Sequence, residues 1–79
     1  MYYTYILQSE KDGTFYIGFT NRLQKRIKQH NSGKSKYTSK HLPYKLIYYE
    51  SFETKFEAIQ REKFFKSKEG RNYFLSKIT

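Results

Sequence analysis

The sequence predicts an α+β domain: a small three-stranded antiparallel sheet flanked by helices, in the order β-β-α-β-α-α. Three observations carry that prediction. Two short runs rich in Tyr, Phe and Ile are joined through Asp12-Gly13, a dipeptide of tight hairpins. A third run of the same kind, "YKLIYYESF", follows a polar segment. The remaining stretches place their apolar residues at helical rather than alternating spacing. With 79 residues and no internal repeat, low-complexity tract or linker, residues 1–79 read as one domain.

In the first run, "YYTYILQS", Tyr3, Tyr5 and Leu7 fall on one face and Tyr2, Thr4 and Ile6 on the other. Both faces are largely apolar, which predicts a central strand. Beyond the hairpin, "FYIGF" sends Phe15, Ile17 and Phe19 one way and Tyr16 and Gly18 the other. Thr20 or Asn21 is expected to cap a helix of about eleven residues, because either side chain can accept from the orphan amides of a first turn. Leu23 and Ile27 form its apolar seam, with Lys25 and Lys28 outward, and "NSG" (Asn31 to Gly33) ends it through a left-handed C-cap.

"KSKYTSKHLP" reads as a polar, lysine-bearing loop before Pro43, with His41 at its surface. Tyr44 to Phe52 is the third strand, again apolar on both faces. Thr54 and Glu57 form a capping box that opens a helix through "KFEAIQREKFFKSK". "KEG" is expected to break that helix, and "RNYFLSKI" to supply a short terminal one. Its Tyr73 and Phe74 can pack on the core or on a second copy, so a monomer and a weak homodimer both stay open.

Sixteen Lys/Arg against seven Asp/Glu give a net charge of +9. That imbalance favours a polyanionic partner, nucleic acid first and an anionic membrane surface second. The absence of cysteine excludes disulfides and thiolate metal sites, leaving nine Tyr and seven Phe as the bulky core material. No apolar run approaches the roughly 18 residues of a spanning helix. "MYYTYIL" lacks the basic start and cleavage site of a signal peptide, so a cytoplasmic location with no membrane partner is expected.

Two placements point to chemistry. Arg22, Arg26 and His30 recur every four residues, on one helical stripe that is either a solvated basic face or a holder of phosphate. Glu62 projects midway between Ala58, Ile59 and Phe65, so it is pushed inward or marks the edge of a cleft. A partly buried carboxylate needs a partner, and in a basic cleft a divalent cation can serve. Phosphodiester hydrolysis needs activated water, charge stabilisation on the phosphoryl oxygens and care of the leaving oxygen. Arg grips phosphate bidentately, His exchanges protons near neutrality, and a tyrosine becomes a useful base only among cations.

"YTYIL" (Tyr3 to Leu7), "YIG" (Tyr16 to Gly18), Arg26, His30 and Glu62 together resemble a GIY-YIG nuclease domain, over essentially the whole chain. The resemblance is to the small single-domain bacterial members rather than to the large excision-repair nuclease subunits or homing endonucleases. Its strength is joint spacing, since Tyr16 follows Tyr5 by eleven residues and Arg26 follows Tyr16 by ten. The first glycine of the name motif is Tyr3 here and its isoleucine is Thr4. A late asparagine is a further family feature, and Asn72 is the residue to set against it.

The resemblance implies the following roles. Tyr16 would be the general base or a water-orienting phenol, and Tyr5 would brace it or contact phosphate. Arg26 would stabilise the phosphoryl charge, and His30 would position water or shuttle a proton. Glu62 would be the sole protein ligand of Mg²⁺ or Mn²⁺, while Gly18 lets the strand end turn and the backbone approach closely. Outside the motif, Arg22, Lys34, Lys36 and Lys40 are expected on nucleic-acid phosphates. The function so implied is a metal-dependent endonuclease hydrolysing phosphodiester bonds in DNA, in repair or recombination. The alternatives are a non-catalytic nucleic-acid-binding module that retains the fold, and an interaction or ribosome-associated protein using the basic face. Intact Arg26 and Glu62 favour the enzyme.

Overall fold

β1 (Tyr2–Ser9) lies in the middle of the sheet, with β2 (Phe15–Thr20) and β3 (Tyr44–Phe52) antiparallel on either side, in the order β2-β1-β3. The computed structural model describes residues 1–34 and 38–78. The helices are α1 (Leu23–Asn31), α2 (Lys55–Lys66) and α3 (Lys68–Ile78), and Thr38–His41 adds one turn of 3₁₀ helix. Strand count, antiparallel pairing and helix order are those the sequence predicts.

The two apolar faces of β1 explain its central place, because each is covered. On one face Tyr5, Leu7 and Tyr44 are buried with Leu23 and Ile27 of α1. On the other, Ile6 packs with Phe65 of α2 and Phe74 of α3, flanked by Phe15 and Ile17. Phe74 and Tyr73 thus belong to the core layer, with Phe65 and Phe74 meeting edge to face at 5.9 Å. Between β1 and β3 the register slips by one residue: Ile6 faces Tyr48 and Leu7 faces Leu46. The extra Ile47 lets two successive residues, Ile47 and Tyr48, serve the α2–α3 face.

The hairpin forms as its Asp-Gly pair dictates. Gly13 takes φ +78°, and Asp12 Oδ1 accepts from the Thr14 amide at 3.1 Å. Thr54 caps α2 by accepting from the Glu57 amide at 3.2 Å and donating its hydroxyl to Glu57 Oε1 at 2.9 Å. Two contacts then set α2 against the sheet. Thr4 Oγ1 donates to the Ala58 carbonyl at 2.7 Å. Arg61 Nε donates to Glu50 Oε1 of β3 at 2.7 Å, and its guanidinium lies over Phe64, Phe65 and Tyr73 at 4.7–4.8 Å.

Three boundaries differ from expectation. Helix α1 begins at Leu23 with no side-chain cap, because Thr20 is still held in β2 by its pairing with Tyr3. The Thr20 hydroxyl instead accepts from the Arg22 amide at 3.1 Å, a local turn. The segment before Pro43 contains the 3₁₀ turn, anchored where Ser9 Oγ donates to the His41 carbonyl at 2.6 Å. The break after α2 falls at Ser67, whose extended backbone ends one helix while its hydroxyl accepts from the Gly70 amide at 3.1 Å to start the next. Glycine 70 therefore lies inside α3 rather than between helices.

Candidate active site

Tyr5 and Gly18 are direct partners across β1 and β2, and this pair organises the site. A Cβ on Gly18 would lie 2.7 Å from Tyr5 Oη and 2.9 Å from Tyr5 Cζ, so the phenol occupies the space a side chain would need. Gly18 is mid-strand and its backbone is not left-handed, which corrects the expectation of a turn there. What it supplies is close approach.

The space above Tyr5 opens into a cleft of about 490 Å³. Tyr5, Tyr16 and Gly18 form its floor, Arg22 and Arg26 one wall, and Glu62 closes it. Glu62 reaches this cleft although α2 packs on the opposite face of the sheet, beside the edge strand β2. Its side chain retains 18% exposure, and its carboxylate accepts from Lys66 Nζ at 3.1 Å. Of the two readings the sequence left open for Glu62, the cleft edge is the one that describes its position.

The helical stripe runs from solvent into the core. Arg22 is exposed, Arg26 is half-buried along the cleft, and His30 is 0% exposed. The imidazole lies under the floor: its Nε2 shares a 3.0 Å hydrogen bond with Tyr5 Oη, and its ring centroid is 4.6 Å from that of Tyr16. That burial leaves the imidazole, which the resemblance has positioning water or shuttling a proton, with no exposed surface, because the last turn of α1 presses against the sheet. It also pushes the His30 pKa down to about 4, with help from the Arg26 charge, so the ring is neutral at physiological pH.

Burial raises the Tyr5 pKa to about 12, against the pull of the Arg26 guanidinium beside it. Tyr5 therefore keeps its proton and acts as a hydrogen-bonding phenol, which leaves Tyr16 as the cleft tyrosine to consider as a base. Arg26, adjacent to the Tyr5 hydroxyl, is held even more firmly in its charged form, and its Nη1 donates to Gln29 Oε1 at 3.1 Å.

Other expected residues lie elsewhere. Lys34 and Lys40 are exposed beyond the C-terminal end of α1, away from Arg22, and neither is among the described residues lining the cleft. Lys36 lies outside the described residues. Asn72 is exposed on α3 and does not line it either. Lys25 faces outward, as its helical position predicts, and lines the cleft's rim, while Lys66 and Gln29 pair with Glu62 and Arg26. Spacing held the signal: Lys66 follows Glu62 by four residues and Gln29 follows Arg26 by three.

Among the described residues, no group of three or more His, Asp or Glu could hold a metal ion. The donor set still suits one kind of ion. Mg²⁺ keeps several waters and takes one or two carboxylates plus substrate phosphate oxygens, which a single half-buried Glu62 in a polar cleft can provide.

A three-stranded sheet between helices, with phenols, a guanidinium and one carboxylate gathered at one cleft, defines a small domain of the nuclease type. Residues 1–74 match the model of the GIY-YIG catalytic domain, and the chain belongs to that family, a family of nucleases. A UPF0213 protein of Bacillus licheniformis is 50% identical over 72 residues, covering 90% of this chain and 73% of that protein. One from Clostridium perfringens is 50% identical over 100% of this chain and 74% of its own length. The solution NMR structure of a UPF0213 protein from Bacillus halodurans aligns with a TM-score of 0.58 at 38% identity, covering 96% of this chain and 84% of that one. Membership implies a nucleic-acid substrate. No helix among the described residues is long and apolar enough to cross a membrane.

Proposed function

We propose that the protein is a metal-dependent endonuclease that hydrolyses phosphodiester bonds in DNA. The observation that carries this reading is the convergence of Tyr5, Tyr16, Arg26 and Glu62 on one cleft from four separate elements, β1, β2, α1 and α2. Arg26 binds the scissile phosphate and offsets the charge that builds on its oxygens. Tyr16 orients the attacking water and, giving up its own phenolic proton to solvent, takes the water's proton as oxygen bonds to phosphorus and the P–O ester bond breaks, the leaving oxygen drawing its proton from solvent. Tyr5 and His30 are positioning residues: the neutral imidazole fixes the Tyr5 hydroxyl, and both rings set the angle of Tyr16. Arg22 and Lys25 add phosphate contacts at the rim.

Glu62 is the residue that would hold Mg²⁺ or Mn²⁺, with Lys66, 56% exposed, free to swing away from it. Such an ion supplies Lewis-acid stabilisation of phosphoryl charge. DNA repair or recombination is the setting this activity would serve.

The test is cleavage of supercoiled, linear, branched and single-stranded DNA with Mg²⁺, with Mn²⁺ and with chelator, beside Glu62→Ala and Tyr16→Phe purified identically. Metal-dependent cutting should be lost in Glu62→Ala with binding near normal, and should fall by about 10²-fold or more in Tyr16→Phe without unfolding. Cutting by Glu62→Ala at the wild-type rate would discard the metal assignment. If no protein cuts, yet all bind DNA with equal salt dependence, the domain is a binding module that retains the nuclease fold.

A further inference from the structure

The α1 face of the sheet is not covered to its end. Beyond the N-terminus of α1 lies a second hollow of about 410 Å³, lined by Tyr3, Tyr49, Arg22 and Lys25 among others. Tyr3 and Tyr49 stand on the same sheet face as Tyr5, with rings 6.1 Å apart and inclined at 66°. Tyr49 is 51% exposed, one of the few large rings that folding leaves open to water. The hollow adjoins the active-site cleft, and Asn21, Arg22 and Lys25 line both.

Single exposed tyrosines are ordinary on protein surfaces. Two adjoining rings facing an arginine and a lysine, at the mouth of a phosphate cleft, are a different arrangement. Rings give a base its stacking surface, and the cations hold the flanking phosphates. A second copy of the chain is a poorer occupant, since each copy carries a net charge of +9 and the hollow's charged side chains are both basic.

We propose that Tyr49, supported by Tyr3, is a stacking site for an unpaired base of the nucleic acid whose neighbouring phosphate lies in the active-site cleft. The inference rests on the nuclease reading and sharpens its substrate: a strand with at least one base out of the duplex stack beside the scissile bond. Every base presents a π-face, so the site is tolerant of sequence. A fully stacked duplex hides that face and gains nothing from the ring.

Binding in chelator, read by fluorescence anisotropy, tests it with a labelled single-stranded DNA of about 12 nucleotides and a duplex of the same sequence. Tyr49→Ala should weaken single-strand binding roughly 5- to 150-fold while changing duplex binding by less than about twofold. Tyr49→Phe, which keeps the ring, should bind like wild type. A strand with abasic spacers, offered to wild-type protein, should lose a comparable factor, a measurement that involves no altered fold. Equal weakening of both DNAs by Tyr49→Ala, or unchanged single-strand binding, overturns the inference and leaves the nuclease reading standing. So does wild-type self-association, seen by sedimentation, that Tyr49→Ala abolishes without touching DNA binding. Failure of the wild-type protein to bind either DNA removes the nuclease reading, and this inference with it.

Discussion

Tyr5, His30 and Gly18 form a unit whose parts make sense only together. The missing side chain of Gly18 admits the Tyr5 ring, and the ring's hydroxyl meets His30 where water cannot. Burial fixes both protonation states, the phenol kept protonated and the imidazole neutral. The histidine thereby couples folding to pH. Its folded-state pKa near 4 lies below the ordinary value of 6.5, so the unfolded chain takes up a proton over that window and the folded one does not. Stability from this group is complete above about pH 6.5 and declines as pH falls toward 4, by an amount on the order of 1–3 kcal/mol. Urea midpoints measured across that range should fall more steeply for wild type than for His30→Gln. Parallel slopes would mean that the imidazole titrates normally. The family resemblance grouped these residues, but nothing in the sequence disclosed that His30 points inward. A stripe of three cationic-type residues looks uniform along a helix, and only the tilt of α1 against the sheet decides where solvent ends.

At the scale of elements, the α2–α3 junction shows why strands were legible and helix ends were not. Strands announced themselves through residues apolar on both faces, a pattern that suits a sheet covered on both sides, in its edge strand β3 as in its central strand β1. The glycine of "KEG" carried the opposite message, since glycine usually ends helices. Here it begins one: Ser67 takes over capping, and Gly70 is buried against the last turn of α2. A Cβ at Gly70 would fall 1.7 Å from the Phe64 carbonyl oxygen, an overlap that backbone alone must relieve. Gly70→Ala should therefore force the helices apart and destabilise the domain by roughly 2–3 kcal/mol, lowering the melting temperature by roughly 10 °C. A melting temperature unchanged within 2–3 °C of wild type, again roughly the size of an ordinary surface substitution, would show that the junction yields without cost. Because Arg61 and Glu62 adjoin on α2, a shift of that helix is also a shift of the cleft's carboxylate.

For the whole molecule, charge was the most legible property and its distribution the least. A net charge of +9 announces a polyanionic partner, yet gives no location. Lys34 and Lys40 attracted notice as part of a lysine-bearing loop, while Lys25 and Lys66, set in helices, are the lysines placed beside the site's charged groups. Folding, not local density, decides which cations share a surface. Binding to DNA should accordingly weaken with salt, and Arg22→Ala should reduce the magnitude of the log–log salt slope by roughly 0.7–0.9, the signature of one lost phosphate contact. Titration of labelled DNA between 50 and 200 mM salt, a range over which such slopes are ordinarily resolved, checks this; an unchanged slope would place Arg22 off the backbone path.

Helix α1 carries Arg22 at its solvent end, Arg26 at mid-length and His30 in the interior, on one rigid rod. A single-residue deletion within it, between Leu23 and Lys25, would turn Arg26 and His30 together by about 100° relative to Arg22. Substitutions can tune this helix one side chain at a time, whereas changes of length cannot. Its length is therefore constrained at every position, whereas an exposed position such as Lys28 can vary singly, so a substitution there should be tolerated where the loss of one codon is not.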